Sequence, residues 1–341
     1  MKRATLSSVI VASVLLLFTS LSIAIEADGN KDQTETEEST LPSAIEHLNL
    51  MRQAYQNQNY EIVYLSSLQK QLEPMQLIHG IVEGQEASYF RYLNGVIRES
   101  LKYDGKISYY EQGQPAYTLE SNQDSNVFAN FANYDFEKGK ENYDYVILGK
   151  GRIAGKPAIA IRMISKDEYR YSYVVWCDLK SSLPLRLDTI NQSNVIVEQI
   201  MVVSLNVSET ANPWLIKLTK NTLPETVHVA QATTDSRSQW KASWIPAGFT
   251  IAKDDQHRLL MHDNELVSYI LLEDGIANVS IYVSEKKLAL DEQQKLIRRG
   301  ATVFYTEQQG QIEINVVGDI PLTTAKRLAQ SITLGTNIND Q

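Results

Sequence analysis

A glycine-rich run, Gly149 to Pro157, is the first place where the sequence suggests chemistry, because such runs can cradle a phosphate. A phosphate-binding loop needs a glycine at its start and a serine or threonine at its end. Here Lys150 stands where that glycine is required, and Pro157 replaces the hydroxyl residue that would hold Mg²⁺. We therefore interpret the run as the turn of a β-hairpin around Ala154-Gly155.

The single cysteine, Cys177, is the second candidate, since a thiolate can act as a nucleophile. An activated thiol needs a base or an electropositive setting, whereas Cys177 lies between Trp176 and Asp178 at the end of a predicted strand. A neighbouring carboxylate raises the pKa of a thiol. We predict a structural thiol, and one cysteine cannot form an internal disulfide.

Histidines are the third candidates, and the chain has His47, His79, His228, His257 and His262. Only the last two are close in sequence, beside Asp254, Asp255 and Asp263, and their spacing matches no helical zinc motif. We interpret this stretch as a polar loop between strands, with an adventitious metal site as the alternative. The sequence predicts no catalytic residue, no metal site and no cofactor, so the chain is predicted not to be an enzyme.

The balance of charge limits the partners of the chain. The formal net charge is −9 over 341 residues. Binding to nucleic acid or to a bare anionic membrane depends on lysine and arginine, so both are disfavoured. We predict no nucleic-acid partner.

The first 24 residues have the layout of a secretory signal peptide. Lys2 and Arg3 precede an apolar stretch, residues 9–18, that is too short to span a bilayer permanently. Ser22 and Ala24 supply the small residues of a cleavage site. We predict cleavage after Ala24 and export of the mature chain, with an uncleaved N-terminal anchor as the alternative.

Composition and hydrophobic periodicity divide the remaining chain into five parts. Residues 25–40 are acidic and aperiodic, which predicts a disordered leader. Residues 41–207 begin with a helix capped by Ser43 and Glu46 and continue with period two, which predicts a large curved antiparallel sheet or open barrel. The last predicted strand of this part, Val195 to Val207, has one apolar face.

Periodicity is lost in residues 208–239, which we predict to be a linker with one helical turn after Pro213. Residues 240–335 alternate again and predict a small α+β domain that ends in a helix with Thr323 as its N-cap. Residues 336–341 form a tail. The predicted fold class is therefore mainly β with helices.

Tyrosine is abundant in the first of these domains. A tyrosine has an apolar body and a polar tip, which suits a cavity for an amphiphile. We select as lipid-cavity candidates the tyrosines in alternating strands: Tyr64, Tyr89, Tyr92 and Tyr173. The alternative is ordinary core packing, since sheets are rich in tyrosine.

Several segments, taken together and in order, resemble the RseB/MucB family over about residues 43–334. In the first domain these are Tyr143-Asp144-Tyr145, Gly149, Arg152-Ile153-Ala154, the run Arg170 to Trp176, Leu183-Pro184-Leu185-Arg186, Glu198-Gln199 and Asn206-Val207. In the second they are the runs Trp244 to Phe249, Val317 to Pro321 and Thr324 to Ala329. The acidic leader departs from the family pattern by its length, which leaves its role in doubt.

The resemblance implies a LolA-like unclosed antiparallel β-barrel around helices, plus a small α+β C-terminal domain. It further implies a negative regulator of sigma-E activity that binds the periplasmic segment of a membrane-bound anti-sigma factor and shields it from site-1 proteolysis. Lipopolysaccharide, another acylated ligand or mislocalised lipoprotein is the implied releasing signal. As partner-binding candidates we select Trp244, Pro246, Gly248 and Phe249, which we expect to form an exposed aromatic turn that meets the partner, with ordinary turn packing as the alternative.

Two other functions stay open at this point. The first is a lipid or lipoprotein carrier of the LolA type, although a simple carrier has no need of residues 240–335. The second is an exported hydrolase with an unrecognised site. Self-association into a homo-oligomer is also possible on the sequence alone.

Overall fold

The computed structural model describes residues 42–68, 71–121, 126, 128–227, 238–259, 265–285 and 296–335. The predicted signal peptide, the acidic leader and the tail lie outside these residues, as do His228 and His262. No helix among the described residues is long and apolar enough to cross a membrane.

The first element is helix α1, Ala44–Asn57, and it begins as the sequence predicts. The Ser43 side chain accepts a hydrogen bond from the Glu46 N–H, and the Glu46 carboxylate accepts one from the Ser43 N–H. This capping box satisfies N–H groups that have no partner inside the helix. One apolar face of α1, with Leu48, Met51 and Tyr55, is buried.

Eleven strands in the described part of the chain form one antiparallel sheet, in the order β6-β5-β4-β3-β2-β1-β11-β10-β9-β8-β7. They are β1 (Asn59–Leu68), β2 (Gln71–Val82), β3 (Gln85–Tyr92), β4 (Arg98–Tyr103), β5 (Lys106–Glu111), β6 (Tyr117–Glu120), β7 (Tyr143–Ile153), β8 (Lys156–Ser165), β9 (Ser172–Asp178), β10 (Pro184–Ile190) and β11 (Ile196–Ser208). Strands β6 and β7 end this order without pairing with each other, so the barrel is unclosed. The predicted fold class is confirmed.

The inner face of this sheet surrounds α1 and the short helix α2, Ala129–Asn133. Side chains from both helices and from eight of the described strands form one apolar core, which includes Leu48, Met51, Tyr64, Phe128, Phe131, Ile161, Tyr173 and Leu187. A 3-10 turn, Lys138–Glu141, then leads into β7.

Strand β11 contains two β-bulges, which change the side chains that face the core. Its pairing with β10 skips Val197, and its pairing with β1 skips Val203. The prediction of one apolar face from Val195 to Val207 is therefore wrong, and Val203 is 47% exposed. An extra residue in a bulge moves the side chains after it to the opposite face. The buried positions are Ile200, Val202 and Leu205.

The chain after β11 packs on the outer face of the sheet. Helix α3, Pro213–Thr219, is the helical turn expected after Pro213, and Asn212 caps it. Leu215 is fully buried among Ile78, Val82, Ala87 and Tyr89. Thr118 then exchanges backbone hydrogen bonds with Glu225 and Val227. The first part of the predicted linker is thus bound to the sheet, while residues 228–237 lie outside the described residues.

A second sheet of six antiparallel strands, counted over the described residues, has the order β13-β14-β15-β18-β17-β16. These are β13 (Thr250–Leu259), β14 (Glu265–Glu273), β15 (Asn278–Glu285), β16 (Leu296–Arg299), β17 (Thr302–Gln309) and β18 (Ile312–Gly318). Helix α4, Leu322–Gln330, packs against it, and β12 (Trp240–Ala242) pairs with β19 (Ile332–Leu334).

Two details of this second part differ from the sequence predictions. Helix α4 begins after Pro321, so Thr323 lies inside the helix and is not its N-cap. Asp254, Asp255 and His257 lie in strand β13, where a polar loop was predicted. Strand β13 is an edge strand, and its exposed position allows the polar residues that suggested a loop.

Candidate functional site

The two sheets define two lobes. Buried hydrogen bonds and an ion pair connect these lobes at their junction. We call residues 42–227 the first lobe and residues 238–335 the second lobe. The loop between β8 and β9, residues 166–171, contacts the second lobe with three consecutive residues: Tyr169, Arg170 and Tyr171. A six-residue turn before β13, Trp244 to Phe249, and the β14–β15 turn form the opposing side.

Arg170 is the centre of this lobe junction. Its side chain is only 2% exposed. Nε lies 3.0 Å from Asp167 in its own loop, and Nη1 lies 3.5 Å from Asp274 in the second lobe. Nη2 donates to the Ala247 carbonyl, and the guanidinium lies 5.6 Å from the ring centroid of Phe249. A buried guanidinium is stable only when its donors are paired. Because the partners of Arg170 come from both lobes, this side chain fixes the position of one lobe against the other.

Asp274 is the counterpart of Arg170 in the second lobe, and its side chain is also 2% exposed. Burial raises the pKa of this carboxyl, while the N–H groups of Ala277 and Ile276 and the charge of Arg170 act in the opposite direction. Its Oδ1 accepts both N–H groups, at 2.8 and 2.9 Å. The same carboxylate therefore shapes the β14–β15 turn and holds the lobe junction.

Tyr171 and Tyr169 add contacts on either side of Arg170. The Tyr171 hydroxyl lies 2.9 Å from the carbonyl oxygens of both Ala301 and Ile320. The Tyr169 carbonyl accepts a hydrogen bond from Thr324 at 2.9 Å. The Arg327 guanidinium lies over the rings of Tyr169 and Trp244, 5.0 and 4.2 Å from their centroids. These contacts connect the loop to the start of α4.

The turn that we selected for partner binding belongs largely to this junction. Pro246 and Phe249 are buried and Trp244 is half-buried, so the expectation of an exposed aromatic turn is wrong. Gly248 has φ of +80°, and a side chain there would meet Asn142 of the first lobe at 2.4 Å. The positive φ favours glycine at this position, and an added Cβ would displace the Asn142 amide. Its part in partner binding stays a prediction.

Three of the four cavity candidates face the inside of the barrel. Tyr64 packs on Phe128 with ring centroids 5.3 Å apart, and Tyr173 packs on Phe131 at 5.4 Å. Tyr92 borders the same core, with the Arg98 guanidinium 3.6 Å above its ring.

Tyr89 lies on the outer face instead, 4.4 Å from Trp214 of α3. Since neighbouring residues of a strand point to opposite faces, Tyr89 and Tyr92 cannot line one cavity. The interior role of Tyr64, Tyr92 and Tyr173 stays a prediction.

Two clefts open beside the lobe junction. One of about 560 Å³ lies between the β8–β9 loop and the β10–β11 turn, and Arg162, Tyr169, Gln192 and Asn194 are in its lining. The other, of about 600 Å³, is lined by both lobes, with Tyr134 and Asn142 facing Gly248 and Asp274. Burial raises the pKa of Tyr134 to about 12, so its hydroxyl stays protonated there.

The residues that first suggested chemistry have structural roles. Gly149 to Pro157 form the end of the β7–β8 hairpin, with Ala154 and Gly155 in its turn. Cys177 is buried, and burial together with Asp178 raises the pKa of its thiol to about 12, as expected of a structural cysteine. His79 is also buried, stacked on Tyr60 at 4.7 Å. Its Nδ1 lies 2.8 Å from the Gln58 carbonyl and its Nε2 lies 3.4 Å from Glu86.

Sequence reasoning missed the principal residues of this site. Arg170 and Tyr171 entered only as part of a family segment, and Asp274 was not selected as a site residue. One signal in the sequence could have identified the junction. The charged Arg170 directly precedes the largely apolar run Tyr171 to Trp176. The aromatic run Phe128, Phe131, Tyr134 and Phe136 in a polar stretch is the corresponding signal for the barrel interior.

An unclosed antiparallel barrel wrapped around helices and fixed to a smaller α+β lobe defines a class of two-lobed, mainly β proteins. Within that class, the MucB/RseB N-terminal domain matches residues 43–227, and the MucB/RseB C-terminal domain matches residues 234–333. The chain therefore belongs to the MucB/RseB family.

Named relatives and a solved structure agree with this assignment. The sigma-E factor regulatory protein RseB of Haemophilus influenzae is 29% identical over 317 residues, covering 93% of this chain and 98% of the relative. RseB of Escherichia coli K12 is 28% identical over 297 residues, covering 87% and 92%. A solved MucA/MucB complex of Pseudomonas aeruginosa matches with a TM-score of 0.69 at 20% identity, covering 86% of this chain and 99% of the solved one. The last likeness shows that the fold is shared.

Proposed function

We propose that this chain is a periplasmic negative regulator of sigma-E activity, which binds the periplasmic segment of a membrane-bound anti-sigma factor and shields it from site-1 proteolysis. The observation that carries the proposal is the match of both family domains, in order, in one chain whose relatives are named sigma-E factor regulatory proteins. A solved complex of MucB with MucA(peri) supports a partner of this kind.

An acylated ligand, such as lipopolysaccharide, is the proposed releasing signal. The inward-facing Tyr64, Tyr92 and Tyr173 support an apolar site inside the barrel. The junction supports a site for the partner near Trp244, Pro246, Gly248 and Phe249, because both lobes contribute surface there. A ligand releases a partner only by favouring a state in which the partner binds less tightly.

Direct titration tests the partner. The chain without its predicted signal peptide is titrated with a peptide that spans the periplasmic segment of the anti-sigma factor from the same genome. A scrambled peptide is the control. We expect binding of the native peptide alone, together with slower cleavage of the native segment by the site-1 protease. Absence of binding, or unchanged cleavage at saturation, contradicts the proposal.

Reciprocal titrations test the releasing signal. A coupling free energy of about 1–3 kcal/mol weakens the partner about 5- to 150-fold, and the partner must weaken the lipid by the same factor. Peptide affinity is therefore measured with and without lipid, and lipid affinity with and without peptide. Equal affinities in both pairs contradict the coupling even if both ligands bind.

A lipid or lipoprotein carrier remains the second candidate, favoured by the curved sheet around an apolar interior. A carrier transfers its ligand to an acceptor membrane, whereas a sensor only has to bind it. Transfer of a labelled lipid from donor to acceptor vesicles by the chain, without any effect of lipid on the anti-sigma peptide, would favour the carrier. Light scattering in the same buffers tests whether the chain self-associates.

A further inference from the structure

The cleft of about 560 Å³ beside the lobe junction is lined by an arginine that the fold leaves incompletely paired. Arg162 lies on the outer face of β8, since its neighbours Ile161 and Met163 point into the core. Its Nη2 donates to the Asn194 side chain at 2.7 Å. Its Nε is buried and has no hydrogen-bond partner among the described residues. A buried donor without a partner is costly, so this position favours a ligand that brings an acceptor.

The charges around the cleft favour a ligand with one negative charge. The lining contains three cations and two carboxylates: Arg162, Lys166, Arg170, Asp167 and Glu168. The Arg170 guanidinium lies 3.0 Å from Asp167, and the Lys166 ammonium lies 3.3 Å from Asp144. Arg162 is then the cation of the lining that has no carboxylate partner among the described residues. A single carboxylate fits this balance of charge, and its two oxygens match neighbouring N–H groups of a guanidinium.

The walls of the cleft are held in place by hydrogen bonds between its own loops. The Gln192 amide donates to the carbonyl oxygens of Glu168 and Arg170, at 3.1 and 2.9 Å. These bonds join the β10–β11 turn to the β8–β9 loop. Asn194, which accepts from Arg162, has a φ of +58°, a conformation that asparagine adopts more readily than most residues. A site that is ordered in this way loses little conformational freedom when a ligand binds.

Tyr169 connects the cleft to the turn selected for partner binding. It belongs to the lining, and its ring lies 4.9 Å from the Trp244 ring of the second lobe. A cleft of this volume is large enough for a few residues of a peptide. A peptide that fills the cleft therefore continues past Tyr169 to the lobe junction.

We infer that this cleft binds one acidic side chain of the anti-sigma segment, and that the Arg162 guanidinium donates to its carboxylate. This inference rests on the proposed function, since it names the chemistry by which that partner is recognised. Hydrogen bonds between charged groups are strong and directional, so the contact selects for the position of the acidic residue in the peptide. Because Tyr169 and Arg170 belong both to the cleft and to the lobe junction, the bound peptide contacts the loop that holds the lobes together.

Binding of the peptide by matched variants tests the inference. Arg162→Gln removes the donor, and Asn194→Asp places a carboxylate of the chain itself where Asn194 accepts from Arg162. Arg152→Gln is the control, because it removes one positive charge from an exposed side chain outside the lining of the cleft. The probe is the peptide that spans the periplasmic segment of the anti-sigma factor, in its native form and in a set in which each aspartate or glutamate is changed singly to its amide. Circular dichroism verifies that each variant is folded.

We expect Arg162→Gln and Asn194→Asp to bind the native peptide about 10- to 100-fold less tightly, the range of a hydrogen bond to a charged group. Arg152→Gln should change the affinity by less than about twofold. One amide substitution in the peptide should weaken its binding to the unmodified chain by a similar 10- to 100-fold, the same range, and should not weaken binding to Arg162→Gln further.

Equal binding of the native peptide by the unmodified chain and by Arg162→Gln overturns the inference and leaves the proposed function intact. A loss in Arg162→Gln that is the same for every peptide of the set also overturns it, because no acidic side chain is then coupled to this arginine. Failure of the unmodified chain to bind the native peptide overturns both the inference and the proposed function.

Discussion

At the scale of single residues, Arg170 offers the sharpest test of the lobe junction. Arg170→Leu leaves the Asp274 carboxylate buried without its cation, and loss of one partner of a buried pair costs about 3–5 kcal/mol of unfolding free energy. The measurement is urea-induced unfolding of the two proteins at neutral pH. We expect the cost to decrease as the pH falls, because protonation neutralises the stranded Asp274.

A second variant and a surface control separate charge from packing in this test. Arg170→Leu combined with Asp274→Asn should recover part of the loss, since the asparagine Oδ1 can still accept the N–H groups of Ile276 and Ala277. Arg152→Gln removes an exposed arginine and should change stability by less than about 0.5 kcal/mol. Equal costs for Arg170→Leu and Arg152→Gln would contradict the account.

Glu86 gives a pH-dependent prediction at the same scale. The nearby His79 imidazole, whose Nε2 lies 3.4 Å from Glu86, and the charge of Lys102 lower the pKa of Glu86 below its usual 4.5. A carboxyl whose pKa is lowered by folding stabilises the folded state above its unfolded pKa and loses that contribution as the pH falls through the folded pKa.

The measurement is a comparison of the unmodified chain with Glu86→Gln across acidic pH. The unmodified chain should lose more stability than Glu86→Gln between about pH 5 and pH 3. Parallel losses of stability would show that Glu86 is not coupled to folding.

At the scale of elements, helix α3 decides where the connection between the lobes is open to cleavage. Leu215 anchors α3 in the outer cluster, so Lys217 and Lys220 should resist trypsin. Arg237 lies in the polar stretch after Val227, and we expect the first cut within the connection there. Mass spectrometry of the early fragments identifies the site.

Removal of the anchor should redirect this cleavage. Truncation of a fully buried leucine to alanine costs about 2–5 kcal/mol of unfolding free energy. Since Leu215 is fully buried, Leu215→Ala should weaken the packing of α3 on the sheet. We expect early cuts at Lys217 or Lys220 in this variant. Cleavage at these sites in the unmodified chain, before Arg237, would show that α3 does not hold the connection.

At the scale of the whole molecule, the junction predicts that the two lobes unfold as one unit. Gly248→Ala tests this, because it places a Cβ 2.4 Å from Asn142 of the other lobe at a residue with φ of +80°. Gly113→Ala is the matched control, since Gly113 has φ of +82° and nothing within 4 Å of its added Cβ. The difference between the two variants isolates the contact between the lobes.

Hydrogen exchange measures the outcome on both sheets. In the unmodified chain and in Gly113→Ala, strands β9 and β15 should exchange in one cooperative transition. In Gly248→Ala, β15 should exchange earlier than β9, and the anti-sigma peptide should bind less tightly. Identical exchange in the two variants would show that the lobes are held by other contacts.

Local patterns in the sequence were enough to predict most of the elements and the class of protein. The capping box at Ser43, the hairpin around Ala154-Gly155 and the alternation in most strands follow from local rules, because capping, turn conformation and period two depend on neighbouring residues. Strand β13 is the exception, since part of it was predicted as a loop. The structural character of Cys177 also followed from its neighbours. These local features, together with the family segments, were enough to predict an unclosed barrel and a second, smaller lobe.

Contacts between residues that are distant in sequence became visible only in the folded chain. Arg170 and Asp274 are 104 positions apart, and no local rule pairs them. The bulges in β11 depend on the fit of two neighbouring strands, so alternation alone chose the wrong face before Val203, where Ile200 and Val202 are buried. The selected turn at Trp244 to Phe249 looked exposed because its cover, Asn142 and Arg170, comes from another lobe. Long-range packing sets these contacts, because burial is a property of the folded chain and not of any segment.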